Sequence, residues 1–187
     1  MEKHKTCSFF GHRKIDVSDN LTQRIKDCLE YLIVKCNVKN FLFGSKSDFN
    51  DLCHLVVSEL KVKYSNIKRI CYTCKSEGCT LEIERQEREK IYSRFLNSNV
   101  RLLGFEEEFE HETKHKAGKA SYIERNQAMI DDSGYCVFYY DKNYFPEKRK
   151  HSKRAFCYYQ PKSGTALAHT YAKQKKKFLI NILDTNK

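Results

Sequence analysis

Near the carboxyl end, a glycine flanked by two hydroxyls opens a helical pattern: Gln160-Pro161-Lys162-Ser163-Gly164-Thr165-Ala166-Leu167-Ala168. Helical spacing continues through Tyr171 and Ala172, then Lys175-Lys176-Lys177 leads into the apolar run from Phe178 to Leu183. At such a corner, free backbone N–H groups and the positive end of the helix dipole can receive an anion. Ser163 as a helix cap and Gly164 as a turn residue would explain the same residues without any ligand. A second corner of this kind favours the ligand: Gly11-His12-Arg13 directly follows Thr6-Cys7-Ser8-Phe9-Phe10. A third, Gly44-Ser45-Lys46-Ser47, follows Phe41-Leu42-Phe43.

One further cationic group is placed to join them. Ser121 to Asp131 reads as a helix, with Ser121 as its cap and Glu124 at the third position of a capping box. Arg125 and Met129, four apart, share a face. An arginine beside an apolar anchor could be held at the sheet edge to clamp a phosphate. Spacing alone equally allows a surface ion pair, the commoner fate of a helical arginine.

The elements that must position these groups alternate. Thr6–Phe10 is apolar and β-favouring. An amphipathic helix carrying Leu21, Ile25, Cys28, Leu29, Leu32 and Ile33 comes next, with Asp16, Ser18 and Asp19 as candidate caps. Phe41–Phe43 is a second strand, and Leu52, Leu55, Val56 and Leu60 mark a second helical face. Ile67–Thr73 is a third strand, Glu82–Leu96 a third helix, and Tyr135–Tyr140 a further strand. Strand, glycine turn, helix, strand is βαβ logic and predicts an α/β fold: a Rossmann-like open, mostly parallel sheet with helices on both faces.

Length and composition fit one domain over residues 1–187, since 187 residues at 40% hydrophobic content can bury a substantial core. No apolar run approaches a membrane span and the start lacks a secretory pattern, so a soluble, cytoplasmic protein without membrane association is expected. Of nine cysteines, Cys7, Cys28, Cys36, Cys53 and Cys136 fall on apolar faces and read as small core residues. Cys71 and Cys74, followed by Cys79, have a ligand-like spacing but lack a completing pair, so no metal is expected. Nothing in the sequence calls for a cofactor.

The formal net charge of +11 points to an acidic partner. Acidic residues gather at Glu106–Glu108, Glu110 and Glu112; basic ones gather at Lys148–Arg154 and Lys173–Lys177. The first basic run lies in an insertion at about 142–160, flanked by Tyr144, Phe145, Phe156, Tyr158 and Tyr159. Basic residues interleaved with aromatics suit nucleic acid or the phosphates of a small nucleotide. A solvated loop over the sheet edge accounts for them as well.

Four of these segments, in order, resemble the YpsA-like group of the SLOG superfamily. Lys5–Ile15 resembles its opening strand and Gly-His-Arg turn, and Phe41–Ser45 with Phe49 and Asp51 its second βα turn. Ala120–Met129 is similar to its Arg-Asn helix, and Pro161–Thr165 to its glycine-threonine turn. The resemblance implies a Rossmann-like sheet with ligands at the strand carboxyl ends. The wider superfamily includes phosphoribohydrolases of the lonely-guy type, the DNA-processing protein DprA, and sensors of nucleotide signals such as ADP-ribose derivatives. In the hydrolases a glutamate of the glycine-rich motif serves the reacting ribose; that position falls on Ala168 here. A methyl group neither stabilises an oxocarbenium-like centre nor positions water.

The expectation is therefore binding of a nucleotide or ADP-ribose-like ligand through Gly11, His12, Arg13, Gly44, Ser45, Arg125, Asn126, Ser163, Gly164 and Thr165. No catalytic residue is assigned, although Asp51, Glu124 or Asp131 are candidate replacements for the missing carboxylate. Tyr139, Tyr140 or an aromatic of the insertion are candidates to stack on the base. Phosphoribohydrolase activity and single-strand binding in the manner of DprA are the alternatives, and the resemblance also allows a homodimer.

Overall fold

The computed structural model describes residues 1–44, 47–74, 104–115, 119–144 and 162–184. Six strands form one parallel sheet: β1 (Thr6–Gly11), β2 (Asn40–Phe43), β3 (Lys68–Cys74), β4 (Glu107–His111), β5 (Tyr135–Tyr139) and β6 (Phe178–Asn181). Their order is β4-β3-β2-β1-β5-β6. The described helices are α1 (Asp19–Cys36), α2 (Asp48–Lys63), α3 (Lys119–Asp131) and α4 (Gly164–Gln174). This is the Rossmann-like open α/β sheet that the sequence pattern predicts.

Strand alternation divides the core in two. Phe9, Phe41, Phe43 and Val137 face α1 and α2, meeting Leu21, Ile25, Leu29, Phe49, Leu52, Val56 and Val57. Phe10, Leu42, Ile70, Tyr72 and Phe138 face α3 and α4, meeting Met129, Ile130, Ala168 and Ala172. Side-chain caps start three of the helices: Ser18 accepts from Leu21 N at 3.2 Å, Ser47 from Asn50 N at 3.1 Å, and Ser163 from Ala166 N at 3.1 Å. Asn37, at φ 55°, ends α1 in the left-handed conformation.

Several expectations change. The acidic residues Glu106–Glu108, Glu110 and Glu112 read in the sequence as a charge cluster, yet Glu107–His111 forms strand β4, because polar ladder residues suit an exposed edge. The last strand ends at Asn181, and Ile182–Asp184 turns into a 3-10 helix. Ser121 does not cap its helix: α3 already runs from Lys119, and Ser121 is buried against the Cys74 thiol. Glu124 binds His115 instead of closing a capping box. The expected helix Glu82–Leu96 and most of the basic insertion lie outside the described residues.

The cysteines follow the core reading. Cys7, Cys53 and Cys136 are buried, and burial pushes their thiols up, Cys136 to about 11. Cys71 and Cys74 are three apart in β3 and so face opposite sides of the sheet, which keeps them from meeting on one ion. Cys79 lies outside the described residues. Among the described residues no group of three or more His, Cys, Asp or Glu side chains is placed to hold a metal. No described helix is long and apolar enough to cross a membrane.

An ion pair holds the β3–β4 edge. Arg69, only 1% exposed, gives Nε and Nη2 to the Glu106 carboxylate and Nη1 to Ser58 Oγ at 2.7 Å. The Arg69 backbone N–H also donates to Glu106 at 2.6 Å. Burial raises the Glu106 carboxyl, but the Arg69 hydrogen bonds and charge outweigh it and hold the group below its ordinary value. The folded state therefore gains from an ionised Glu106 above pH 4.5, and the gain is lost as pH falls through the depressed folded value. Glu106→Ala should cost about 2–4 kcal/mol by leaving a buried guanidinium, less than for a fully enclosed pair because the carboxylate is partly exposed. Urea unfolding should also show a weaker acid dependence below pH 4.5 in the variant than in the wild type.

Candidate functional site

The predicted residues converge on the carboxyl edge of the sheet because every helix that follows a parallel strand starts there. β1 pairs with β2 on one side and with β5 on the other, Gly11 standing opposite Tyr139. Its exit turn is thus the topological switch point, where open α/β sheets leave a crevice.

Arg125 belongs to the interior and not to the exposed helix surface that its spacing equally allowed. It is 4% exposed and lies over Gly44, where an added Cβ would stand 3.0 Å from Nη2 and 3.2 Å from Cζ. Gly44 thus makes room for the guanidinium. Nη2 donates to Asn126 Oδ1 at 3.1 Å, and the guanidinium lies 5.3 Å from the Tyr122 ring centroid, within cation–π range. The arginine is consequently oriented by its own helix and by the end of β2.

α3 and α4 pack side by side, and Lys119 Nζ donates to the Lys162 carbonyl at 2.9 Å, tying the starts of the two helices together. Ser163 and Thr165 are buried, whereas Gly164 is exposed with open space where a Cβ would stand. Helix geometry leaves the first N–H groups of α4 without intrahelical acceptors. The Ser163 hydroxyl is used as the cap, so both sequence readings of this serine describe the same structure.

At β1, Gly11 has a packing role that sequence did not reveal. A Cβ there would lie 2.3 Å from Phe49 Cβ, so glycine admits the start of α2 against the strand end. The exposed Arg13 joins the same junction through its carbonyl, which accepts from Asp48 N at 3.0 Å. His12, expected at the rim, is instead 3% exposed. Its Nε2 accepts from Asp141 N at 3.1 Å and its ring stacks on Tyr144 at 3.9 Å. Because Nε2 accepts, the neutral ring carries its proton on Nδ1, a buried atom without a hydrogen-bond partner among the described residues.

A cleft of about 370 Å³ opens beside this imidazole, between His12, Lys14, Asp16, Tyr139, Asp141 and Tyr144. Ile15 and Leu183 give it apolar walls. Neither Arg125 nor the start of α4 lines this cleft; they occupy the neighbouring part of the same sheet edge. Tyr139 meets Phe49 as well as the cleft, while Tyr140 stacks on His169 at 4.6 Å on the α4 side. Ser45 lies outside the described residues.

The candidate replacement carboxylates separate. Asp51 stands in the first turn of α2, at the carboxyl edge. Glu124 is engaged by His115, and Asp131 lies at the far end of α3 with Tyr171 and Lys175. The basic run Lys173–Lys177 is also at that far, amino edge. There Lys177 Nζ donates to the carbonyls of Asp131 and Ser133, closing the end of α3.

Compared with known proteins, the chain matches no family model and no curated protein. Its class therefore rests on architecture: an open parallel α/β protein with a buried imidazole at its switch point and an internal arginine at the neighbouring end of β2.

Two outcomes test this geometry. Gly11→Ala should destabilise by about 1–3 kcal/mol through overpacking against Phe49, measured by denaturant unfolding. His12 should make stability fall at mildly acidic pH. Burial lowers its basicity, which the Asp141 charge only partly offsets, and protonation would also cost the bond from Asp141 N. Its contribution is present above pH 6.5 and lost as pH falls through the lowered folded value. The charged and titratable groups around it are Asp141, Asp16, Lys14, Tyr139 and Tyr144. His12→Gln, whose side-chain oxygen can keep the Asp141 bond, should flatten the unfolding midpoint between pH 7 and pH 5.

Proposed function

We propose that the carboxyl edge of this sheet binds a nucleotide or nucleotide-derived ligand, of the ADP-ribose kind, and acts as a sensor or binding module. The observation that carries this reading is Arg125: a guanidinium 4% exposed, seated over Gly44 on a helix whose start is tied to that of α4 through Lys119. A cradle that fixes the orientation of a guanidinium suits charge-assisted contact with a phosphate. The N–H groups at Gly164 and Thr165 would share the phosphate, with the Thr165 hydroxyl as a further donor. The resemblance to YpsA-like SLOG proteins agrees with this placement.

Binding ranks above cleavage because of Ala168. The residue at the position of the hydrolase glutamate is 3% exposed and packed among the α3–α4 face residues. Its methyl group holds no proton and orients no water. Phosphoribohydrolase activity is accordingly the second reading, with Asp51 as the candidate carboxylate still at this edge.

A thermal-shift panel of AMP, ADP and ADP-ribose should show stabilisation, about 2.7 kcal/mol at a hundredfold excess over Kd, with no free base or ribose 5-phosphate released. Arg125→Ala should lose about 1.5–3 kcal/mol of binding by calorimetry. Equal affinity in the variant would place the ligand elsewhere, and release of free base abolished by Arg125→Ala would establish the hydrolase.

A further inference from the structure

The groups around the His12 cleft do not suit the phosphate end of a ligand. With the imidazole neutral, Asp16 and Asp141 outweigh Lys14, so the lining carries a small negative excess. The apolar walls are Ile15 and Leu183, and Tyr139 and Tyr144 supply ring surface. His12 lines this cleft, and its buried Nδ1–H has no hydrogen-bond acceptor among the described residues. Leaving such a donor unmatched costs stability, so the cleft is prepared for an acceptor on something that enters it. Its volume of about 370 Å³ falls within the range of small-ligand sites, about 300–1,000 Å³.

We propose that this cleft takes a neutral, amino-bearing heterocycle, the nucleobase end of the ligand. A ring nitrogen or carbonyl accepts from His12 Nδ1–H, the exocyclic amino group donates to Asp16 or Asp141, and the ring lies against tyrosine. Continuing the β1–β2 register by two residues from Ser8 and Leu42 sets Gly44 level with Phe10. His12 directly follows β1, two residues past Phe10, so extending both strands to these positions sets the backbones at His12 and Gly44 about 8 Å apart. One nucleotide can span that interval, its base at His12 and its phosphate at Arg125. The assignment rests on the nucleotide reading above for the phosphate half alone; the base half stands on the cleft.

Calorimetric titration of the full chain with adenosine, inosine and ribose 5-phosphate separates the two halves. Adenosine should bind, inosine should bind more weakly for want of the amino group, and His12→Gln should weaken adenosine about five- to tenfold. Ribose 5-phosphate should be insensitive to His12→Gln and sensitive to Arg125→Ala. In the wild-type chain labelled with nitrogen-15 histidine, the His12 Nδ1 resonance should be protonated at neutral pH and move on adenosine addition, a readout that does not depend on a variant folding. Failure of adenosine to bind, or binding that leaves the His12 resonance in place, overturns the cleft assignment. If ribose 5-phosphate still binds through Arg125 in that case, the phosphate site survives without it. If adenosine binds at His12 but no phosphate compound depends on Arg125, the nucleotide reading fails and the heterocycle cleft stands.

Discussion

The pairing of β1 with both β2 and β5 is the constraint from which the rest of the molecule follows. Right-handed crossovers that run in opposite directions along a sheet must place their helices on opposite faces. The chain leaving β1 therefore turns toward α1, while the chain leaving β5 turns toward α4. Between those diverging exits no helix can lie across the strand ends. The gap is filled instead by what the two exits carry: His12 and Arg13 from one, Asp141 and Tyr144 from the other. Their hydrogen bond and ring stack join the two loops where the backbone itself cannot.

Electrostatics shows two different solutions for an interior guanidinium. Arg69 is matched by a carboxylate and a hydroxyl, and its function is to fasten the edge strand β4. Arg125 is instead held by an amide oxygen, an aromatic face and the room left by a missing side chain. The first arrangement fastens an edge strand; the second fixes the plane of a guanidinium at the end of β2.

Much of the architecture was legible because burial is written in sequence period. Phe9, Phe41, Phe43, Val137 and their neighbours form apolar runs too short for helices, and the helices carry clear apolar faces with serine caps. β4 was hidden because Glu-Glu-Phe-Glu-His reads as charge, and only its place at the sheet edge makes that composition acceptable for a strand. The glycine corners were legible as corners, but their reasons were not: Gly11 serves Phe49 and Gly44 serves Arg125, both contacts across large sequence separations. Spacing likewise could not bury Arg125 or His12, since burial of a polar residue depends on partners from other elements. Asn126 and Tyr122, beside Arg125 in sequence, were the only local signal that its charge had company.

The exit of β5 is fastened in an unusual way. Asn181, the last residue of β6, uses its side-chain amide to bond both the N–H and the carbonyl of Tyr140, at 3.0 and 2.9 Å. One side chain thus imitates a further rung of the ladder, and the backbone direction beyond β5 is settled before the long connection begins. At the other end, Ser163 and Lys119 fix the point of return. A connection between two anchored posts can gain or lose residues at little entropic cost, because closure entropy grows only slowly with length. The length of that connection can therefore change while the two posts that fix its ends, and the strand ends they hold, keep their places.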